Sequence, residues 1–334
     1  MAKYFDFNNN IDENNLKFIA SEIKNGKIAI IPTETVYGIG GNGLISSTVE
    51  KIYKIKNRDL SNPINLLVKD IKMIEEITKN ISEMEYKLMN TFFPGPLTLI
   101  LEKNNLIPNV VTAGKSSVGV RISTNPILNK LLEYSNVPIA APSANISGRL
   151  SGSNIDIIDS QLLENVDYII DYGDSYLGIE STIVKVIDNI PHILRPGSIT
   201  KEEIEKVCGT VILDFENSPS SNLKHYQLSS NALLVFGKTP TKVFEYINNI
   251  YGKEVNPLIV TFDEYIKYFN DKNIISLGSL ENLDAVSKNL FSNLSKAQSY
   301  NPSLIIIQGI ESKGLGLTIM NRLLNICNNN FVLL

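Results

Sequence analysis

The sequence predicts an α/β protein of two domains, the first built on a mixed sheet and the second on a parallel one. Three observations carry this. Short apolar runs alternate with segments of helical periodicity along the whole 334-residue chain. In the first two-thirds that rhythm is irregular, with strand-like runs following one another directly, which is the mark of a mixed sheet. Beyond residue 231 it becomes a steady strand–helix alternation, which predicts parallel strands.

Residues 12–25 read as a helix, with Leu16, Ile19, Ala20 and Ile23 at helical spacing. "KIAIIPT" reads as a buried strand, and 46–56 as a helix capped by Ser46 or Ser47. "INLLV" is a strand, 71–91 is helical, and "PLTLILE" is a strand entered through Pro-Gly-Pro. "VGVRIS" is a strand, 125–134 a helix, and "PIAAPSA" a strand running into a loop. "YIIDYG", "STIVKVI" and "HILRPG" are short strands, followed by a helix over 200–208. Residues 214–231, "DFENSPSSNLKHYQLSSN", are rich in Ser and Asn without apolar periodicity, and read as a linker. The expected division is therefore a domain over 1–213, a linker over 214–231 and a domain over 232–334. In the last, "ALLVFG", "PLIVTF", "IISLG" and "SLIIIQG" are strands, with helices over 239–251, 282–298 and 314–327.

The formal net charge is -4, and residues 1–229 carry 22 Lys+Arg against 27 Asp+Glu. Neither part is a basic module, which argues against nucleic-acid binding as the chief function. Cys208 and Cys327 lack nearby Cys or His, so neither a disulfide framework nor a zinc site is expected. "MAKYFDFNNN" has no apolar h-region and no run reaches 18 apolar residues, so a cytoplasmic protein is expected.

"IIPTETVYGIGGNG" contains a formal G-x-G-x-x-G at Gly38, Gly40 and Gly43. A dinucleotide loop needs its first glycine at the turn leaving the strand. Here Pro32 to Tyr37 intervene, so the glycines read as a φ-permissive loop. The hydroxyls of Thr33, Thr35 and Tyr37 then need their own explanation. "TAGKSS" is not a P-loop, because Asn109 stands where the first Gly belongs and a strand follows instead of a helix. Ser143 is not in a G-x-S-x-G elbow, and neither His192 nor His225 has an evident partner. What remains is a set of polar loops at strand ends, rich in hydroxyls, amides, Gly and Pro. Lys54, Lys56, Arg58, Lys115, Arg121, Arg149 and Arg195 lie in or beside them. A local positive field in an acidic chain suits a small polyanion.

"IPTETVYGIG", "KIYKIKNR", "FPGPLTLIL", "VGVRIS", "PIAAPSANISG" and "GIESTIV" through "ILRPG" occur in the order that characterises the YrdC/Sua5 family, which the chain resembles over about residues 12–208. "SPSSNLKHY" and "GLGLTIMNRL" resemble the linker and the extra domain of the long Sua5 form. The resemblance implies a twisted mixed sheet around a positive hollow, and a smaller Rossmann-like second domain. It implies a nucleotidyltransferase that makes threonylcarbamoyl-AMP and pyrophosphate from L-threonine, bicarbonate and ATP. Magnesium would be carried by the ATP, with no protein ligand for it named. The product would pass to a partner enzyme that modifies adenosine 37 of tRNAs reading ANN codons, without this chain needing to bind tRNA itself.

By resemblance, Lys56 and Arg58 would serve catalysis. Arg58, Asn62, Ser117, Ser143, Ser151, Arg195 and the linker's Tyr226 would contact ATP. Thr35, Leu67, Arg121, Ala141 and Ser181 would line the threonine site, with Arg121 on the carboxylate. The linker would act as a lid. Two departures stand out: Leu67 replaces a family histidine, and Asn57 and Asp59 replace Gly and Pro in the family's "KGRP". No side chain stands out as a general base. The competing reading is an RNA-binding or regulatory relative without synthase activity.

Overall fold

The computed structural model describes residues 2–217, 226–270 and 272–334. Most of the predicted linker's centre, including His225, lies outside the described residues. The chain falls into two compact units. The first comprises Met1–Ser147, Ser151–Tyr176 and Glu180–Asn222, and the second Gly148–Leu150, Leu177–Ile179 and Leu223–Leu334.

The first unit begins with β1 (Lys3–Asp6), α1 (Glu13–Lys24), β2 (Ala29–Ile31), β3 (Gly38–Asn42), α2 (Ser46–Lys56) and β4 (Leu66–Leu67). Then come α3 (Ile71–Ile77), α4 (Glu83–Phe92), β5 (Leu97–Glu102), β6 (Ser117–Arg121), α5 (Pro126–Ser135) and β7 (Ile139–Ala140). It ends with α6 (Ser160–Glu164), β8 (Tyr168–Asp171), β9 (Thr182–Ile187), β10 (Ile190–Arg195), α7 (Lys201–Cys208) and β11 (Ile212–Leu213). Its strands form one sheet in the order β1-β8-β2-β3-β7-β4-β6-β5-β9-β10-β11. Parallel and antiparallel pairs alternate irregularly, so the sheet is mixed.

Local chemistry explains the helices. Asp12 accepts from the Asn14 and Asn15 amides at the start of α1, whose buried stripe is Leu16, Ile19, Ala20 and Ile23. Ser82 with Glu85, and Thr200 with Glu203, form capping boxes on α4 and α7. Asn125 caps α5, with Pro126 in its first turn.

Three expectations are corrected. Residues 71–91 are two helices, because Thr78 is extended, bridges to Lys103 and precedes Asn80 at φ 56. The Ser82 capping box then restarts the helix. Helix α2 has Ile45 at its N-cap with no side-chain hydrogen bond, and Ser46 is already helical. The glycine segment is a buried strand, β3, and none of its glycines has positive φ. Its glycines answer a need for space. A Cβ on Gly40 would lie 2.7 Å from Ile31 Cδ1 and 2.9 Å from Ile139 Cγ2, and one on Gly41 2.5 Å from Thr48 Cγ2. The strand is thin so that β2, β7 and α2 can close around it.

The second unit holds β12 (Asn231–Phe236), α8 (Pro240–Tyr251), β13 (Pro257–Thr261), β14 (Ile274–Ser276), α9 (Leu283–Ser299), β15 (Leu304–Gln308), α10 (Leu315–Ile326) and β16 (Phe331–Leu333). All its strand pairs are parallel, in the order β14-β13-β15-β12-β16. The apolar runs of β13 and β15 are buried almost throughout, as a sheet covered on both faces requires. Among the described residues no helix is long and apolar enough to cross a membrane.

Replacing Gly40 by Val is expected to destabilise the protein by about 1–3 kcal/mol through overpacking. Urea unfolding checks this, and wild-type stability would show that the close approach around Gly40 does not require glycine there.

Candidate functional site

The β2–β3 loop is organised by Thr33. Its hydroxyl accepts from the amides of Thr35 (3.1 Å) and Val36 (3.2 Å) and donates to Val36 O at 2.6 Å. This tight turn projects Glu34 and Thr35. Tyr37 instead anchors the loop from below. Its hydroxyl donates to Gly173 O at 2.7 Å and accepts from the Tyr172 amide at 2.9 Å. Burial pushes its phenol well above the ordinary value. Of the three hydroxyls, Thr35 is the one tied to the cation of the site. Its Oγ1 accepts from Arg121 Nη1 at 2.9 Å.

Arg121 ends β6, beside Leu67 in register. It is 7% exposed and faces Glu34, 6% exposed. Nη2 lies 2.6 Å from Glu34 Oε2, and Ser123 Oγ donates to the same oxygen. The charge contact is short, yet Nη2 is not aligned as a hydrogen-bond donor. Both facts matter: the pair is an ion pair, but the Nε–Nη2 edge of the guanidinium is unsatisfied. Glu34 Oε1 is likewise buried with no hydrogen-bond partner among the described residues. An arginine edge of this kind receives a carboxylate in bidentate fashion.

A second group of cations lies at the end of α2. Asn57 closes this helix in the left-handed region, φ 50, which explains an Asn where Gly is usual. Arg58 donates through Nε to Asn62 O (3.1 Å) and through Nη2 to Pro63 O (2.9 Å). Burial pushes its guanidinium down to about 10, and the charge of Arg195 adds to the shift. Asn62 is buried, and its carbonyl also accepts from Tyr53 OH at 2.9 Å. Lys56 is 1% exposed and donates to Ser143 O and Asn145 O, so it pins the "PSAN" loop. Burial, with the charge of Arg58, lowers its pKa well below the ordinary value. Ser143 Oγ in turn donates to Asn145 Oδ1. Lys54 is exposed. Asp59 is exposed too and accepts from the Ser61 amide at 2.8 Å, which holds its carboxyl below the usual range.

A third group joins β5, β9 and β10. Arg195 Nη2 donates to Ser181 O at 2.7 Å and to Ser181 Oγ at 3.2 Å. Ser181 Oγ is also 2.7 Å from Thr98 Oγ1. Ser151 is buried and donates to Glu180 Oε1 at 2.7 Å. Ala141 follows β7, with its amide on Asn65 O at 3.1 Å, and Leu67 is buried in β4. Ser117 opens β6, four residues of strand before Arg121, or about 13 Å at the usual rise. That separation sets it apart from the residues gathered around Arg121. Tyr226 belongs to the second unit, where it is buried, stacks on Phe291 at 5.2 Å and lies under the Arg322 guanidinium.

Sequence reasoning missed Glu34, Ser123, Thr98, Asn145 and Glu180. Glu34 carried a signal, an acid between two threonines in a loop otherwise read for its hydroxyls. His192 also departs from expectation, since its Nδ1 is 3.3 Å from Asp214 Oδ2.

The chain matches two family models. The one covering Sua5, YciO and YrdC proteins, described as "Telomere recombination", matches residues 21–197. The one described as "Threonylcarbamoyl-AMP synthase, C-terminal domain" matches residues 199–325. The chain is 35% identical to a threonylcarbamoyl-AMP synthase of Pyrococcus abyssi, over 94% of each chain. It is 34% identical to one of Bacillus subtilis, over 91% of this chain and 90% of that one. A crystal structure of P. abyssi Sua5 complexed with L-threonine superposes with TM-score 0.91 at 32% identity, covering 100% of this chain and 99% of the other. With both models matched in order and the similarity running the length of the chain, the protein belongs to the Sua5/YrdC family.

Proposed function

We propose that this chain is a threonylcarbamoyl-AMP synthase, a nucleotidyltransferase that converts L-threonine, bicarbonate and ATP to threonylcarbamoyl-AMP and pyrophosphate. The observation that carries the reading is the buried Arg121 with an unsatisfied Nε–Nη2 edge, beside Thr35, in a chain similar over its full length to a Sua5 that binds L-threonine. Threonine's carboxylate takes that edge, Thr35 and Ser181 supply polar contacts, and Leu67 and Ala141 offer apolar surface to its methyl group. Arg58, Asn62, Ser143, Ser151 and Arg195 serve the nucleotide. Ser117 and Tyr226 are assigned to ATP on the resemblance alone, as is a covering role for residues 214–231. Magnesium enters as the ATP complex, bearing part of the phosphate charge.

Three negative groups must meet in one place: the threonine carboxylate, the carbamate and the triphosphate. Catalysis is then positioning and charge neutralisation, with no covalent enzyme intermediate. The carbamate oxygen attacks the α-phosphate, pyrophosphate leaves, and the product passes to a transferase that modifies tRNA in the cytoplasm. The competing reading, an RNA-binding or regulatory protein, needs no such carboxylate edge.

Pyrophosphate release is expected only when threonine, bicarbonate and ATP are present together. Release independent of threonine, or none at all, contradicts the synthase reading.

Arg58→Ala is expected to lower turnover at least tenfold, about 1.4 kcal/mol of transition-state stabilisation, and to cost some stability as well, since Pro63 O loses its donor while Asn62 O keeps Tyr53 OH. Lys56→Ala should lower turnover and also destabilise the fold. It leaves two carbonyls of the "PSAN" loop without their donor, at about 1–3 kcal/mol each. Pyrophosphate assays beside urea unfolding separate the two effects. Wild-type turnover in both variants would remove these residues from the site.

A further inference from the structure

The synthase chemistry requires a proton to leave the substrate nitrogen, and among the described residues the buried carboxylate of Glu34 lies against Arg121. We propose that Glu34 is the proton acceptor for the amino group of the substrate, an assignment that rests on the synthase reading above. Glu34 is buried, its Oε2 is 2.6 Å from Arg121 Nη2, and Ser123 donates to that same oxygen. Its Oε1 has no hydrogen-bond partner among the described residues, and the neighbouring Arg121 Nε has none either. Buried polar atoms are nearly always satisfied, so an unsatisfied acceptor beside an unsatisfied donor edge marks a place shaped for a further group.

An α-amino acid satisfies both at once. Its carboxylate on the Nε–Nη2 edge is a second anion on one guanidinium, which Glu34 would repel. The α-ammonium, two bonds from the carboxylate carbon, is the cation that offsets this repulsion. It would meet Glu34 Oε1, the oxygen with no hydrogen-bond partner among the described residues. The substrate thus docks as a zwitterion across an existing ion pair, with two positive and two negative groups interleaved.

The proton balance follows. Ammonium, bicarbonate and the Glu34 carboxylate give the N-carboxylate (carbamate) anion, water and the Glu34 carboxylic acid. A C–N bond forms, a C–O bond of bicarbonate breaks, and one nitrogen proton ends on Glu34. Of the other two ammonium protons, one stays on nitrogen and one leaves in the water. The charge change drives the transfer in this direction. While the ammonium is present, Glu34 faces two cations and the substrate carboxylate. Once nitrogen carries a carbamate, it faces Arg121 alone against two anions, and neutralising it removes like-charge repulsion. Glu34 returns the proton to water when the product leaves.

The test is pyrophosphate release against pH for wild type, Glu34→Gln and Glu34→Asp, with threonine binding followed by calorimetry. Glutamine keeps the hydrogen-bonding shape and removes the base. Its turnover near neutrality is expected to fall at least thirtyfold. It should then rise about tenfold per pH unit below the amine pKa, as solvent supplies free amine. Its Kd for threonine should rise less than tenfold, because Arg121 and Thr35 still hold the carboxylate. Glu34→Asp keeps a carboxylate one methylene shorter, and should show reduced turnover with the wild-type pH profile. The aspartate variant decides the matter if the glutamine variant does not fold. An equal loss at every pH for Glu34→Gln makes Glu34 only a positioning residue for Arg121 and overturns the assignment. So does wild-type turnover in that variant, or a tenfold-per-unit rise in Glu34→Asp. Wild-type protein that releases no pyrophosphate from the three substrates overturns the synthase reading, and this assignment with it.

Discussion

The buried ion pair between Arg121 and Glu34 is the constraint on which the site depends. A guanidinium held at 7% exposure is costly unless a counter-charge and hydrogen bonds accompany it. Glu34 supplies the charge, Thr35 accepts from Nη1, and Ser123 completes Glu34 Oε2. Together they tie the end of β6 to the loop between β2 and β3, which are not neighbours of β6 in the sheet. The loop cannot be placed by the sheet's hydrogen bonds alone. Thr33 folds it into a tight turn, Tyr37 anchors its far end under Gly173, and the ion pair fixes its middle. Among the described residues the pair is not fully hydrogen-bonded, since Arg121 Nε and Nη2 and Glu34 Oε1 have no hydrogen-bond partner.

The rest of the first unit serves this arrangement by being thin where the loops meet. Strands β4 and β7 contribute two residues each to the centre of the sheet, and β3 is built largely of glycine. The short strands leave room for the polar loops beside them, with Asn62 ahead of β4 and Ala141 and Ser143 after β7. Lys56 illustrates the cost. Its ammonium sits almost fully buried, depressed by burial and by Arg58, because it must bridge two carbonyls of the "PSAN" loop. One cation therefore fixes a loop while its neighbour Arg58 ties the end of α2 to Asn62 O and Pro63 O.

Much of this was legible in the sequence because it is local. Capped amphipathic helices such as α1 and α7, and the regular alternation of the second unit, follow from spacing within a dozen residues. The polar loops were legible as a set through their repeated hydroxyl, Gly and Pro content. What was not legible depends on partners far away in the chain. Nothing local says that the glycines of β3 are there to admit Ile31, Ile139 and Thr48, instead of to permit an unusual φ. The break at Thr78 comes from its bridge to Lys103 and the new cap at Ser82. Glu34 was passed over because a reading that counts cations treats an acid as noise. Only the meeting with Arg121, 87 positions on, gives it a role.

The most direct measurement is a double-mutant cycle on that pair, with Glu34→Gln, Arg121→Met and the double variant compared by urea unfolding in the absence of ligands. If each partner is present to compensate the other's burial, the single variants should each be strongly destabilised. The double variant should recover much of the loss, giving a coupling of about 2 kcal/mol or more. Additive losses, with coupling near zero, would mean that the two charges are held independently and that the site is not organised around them.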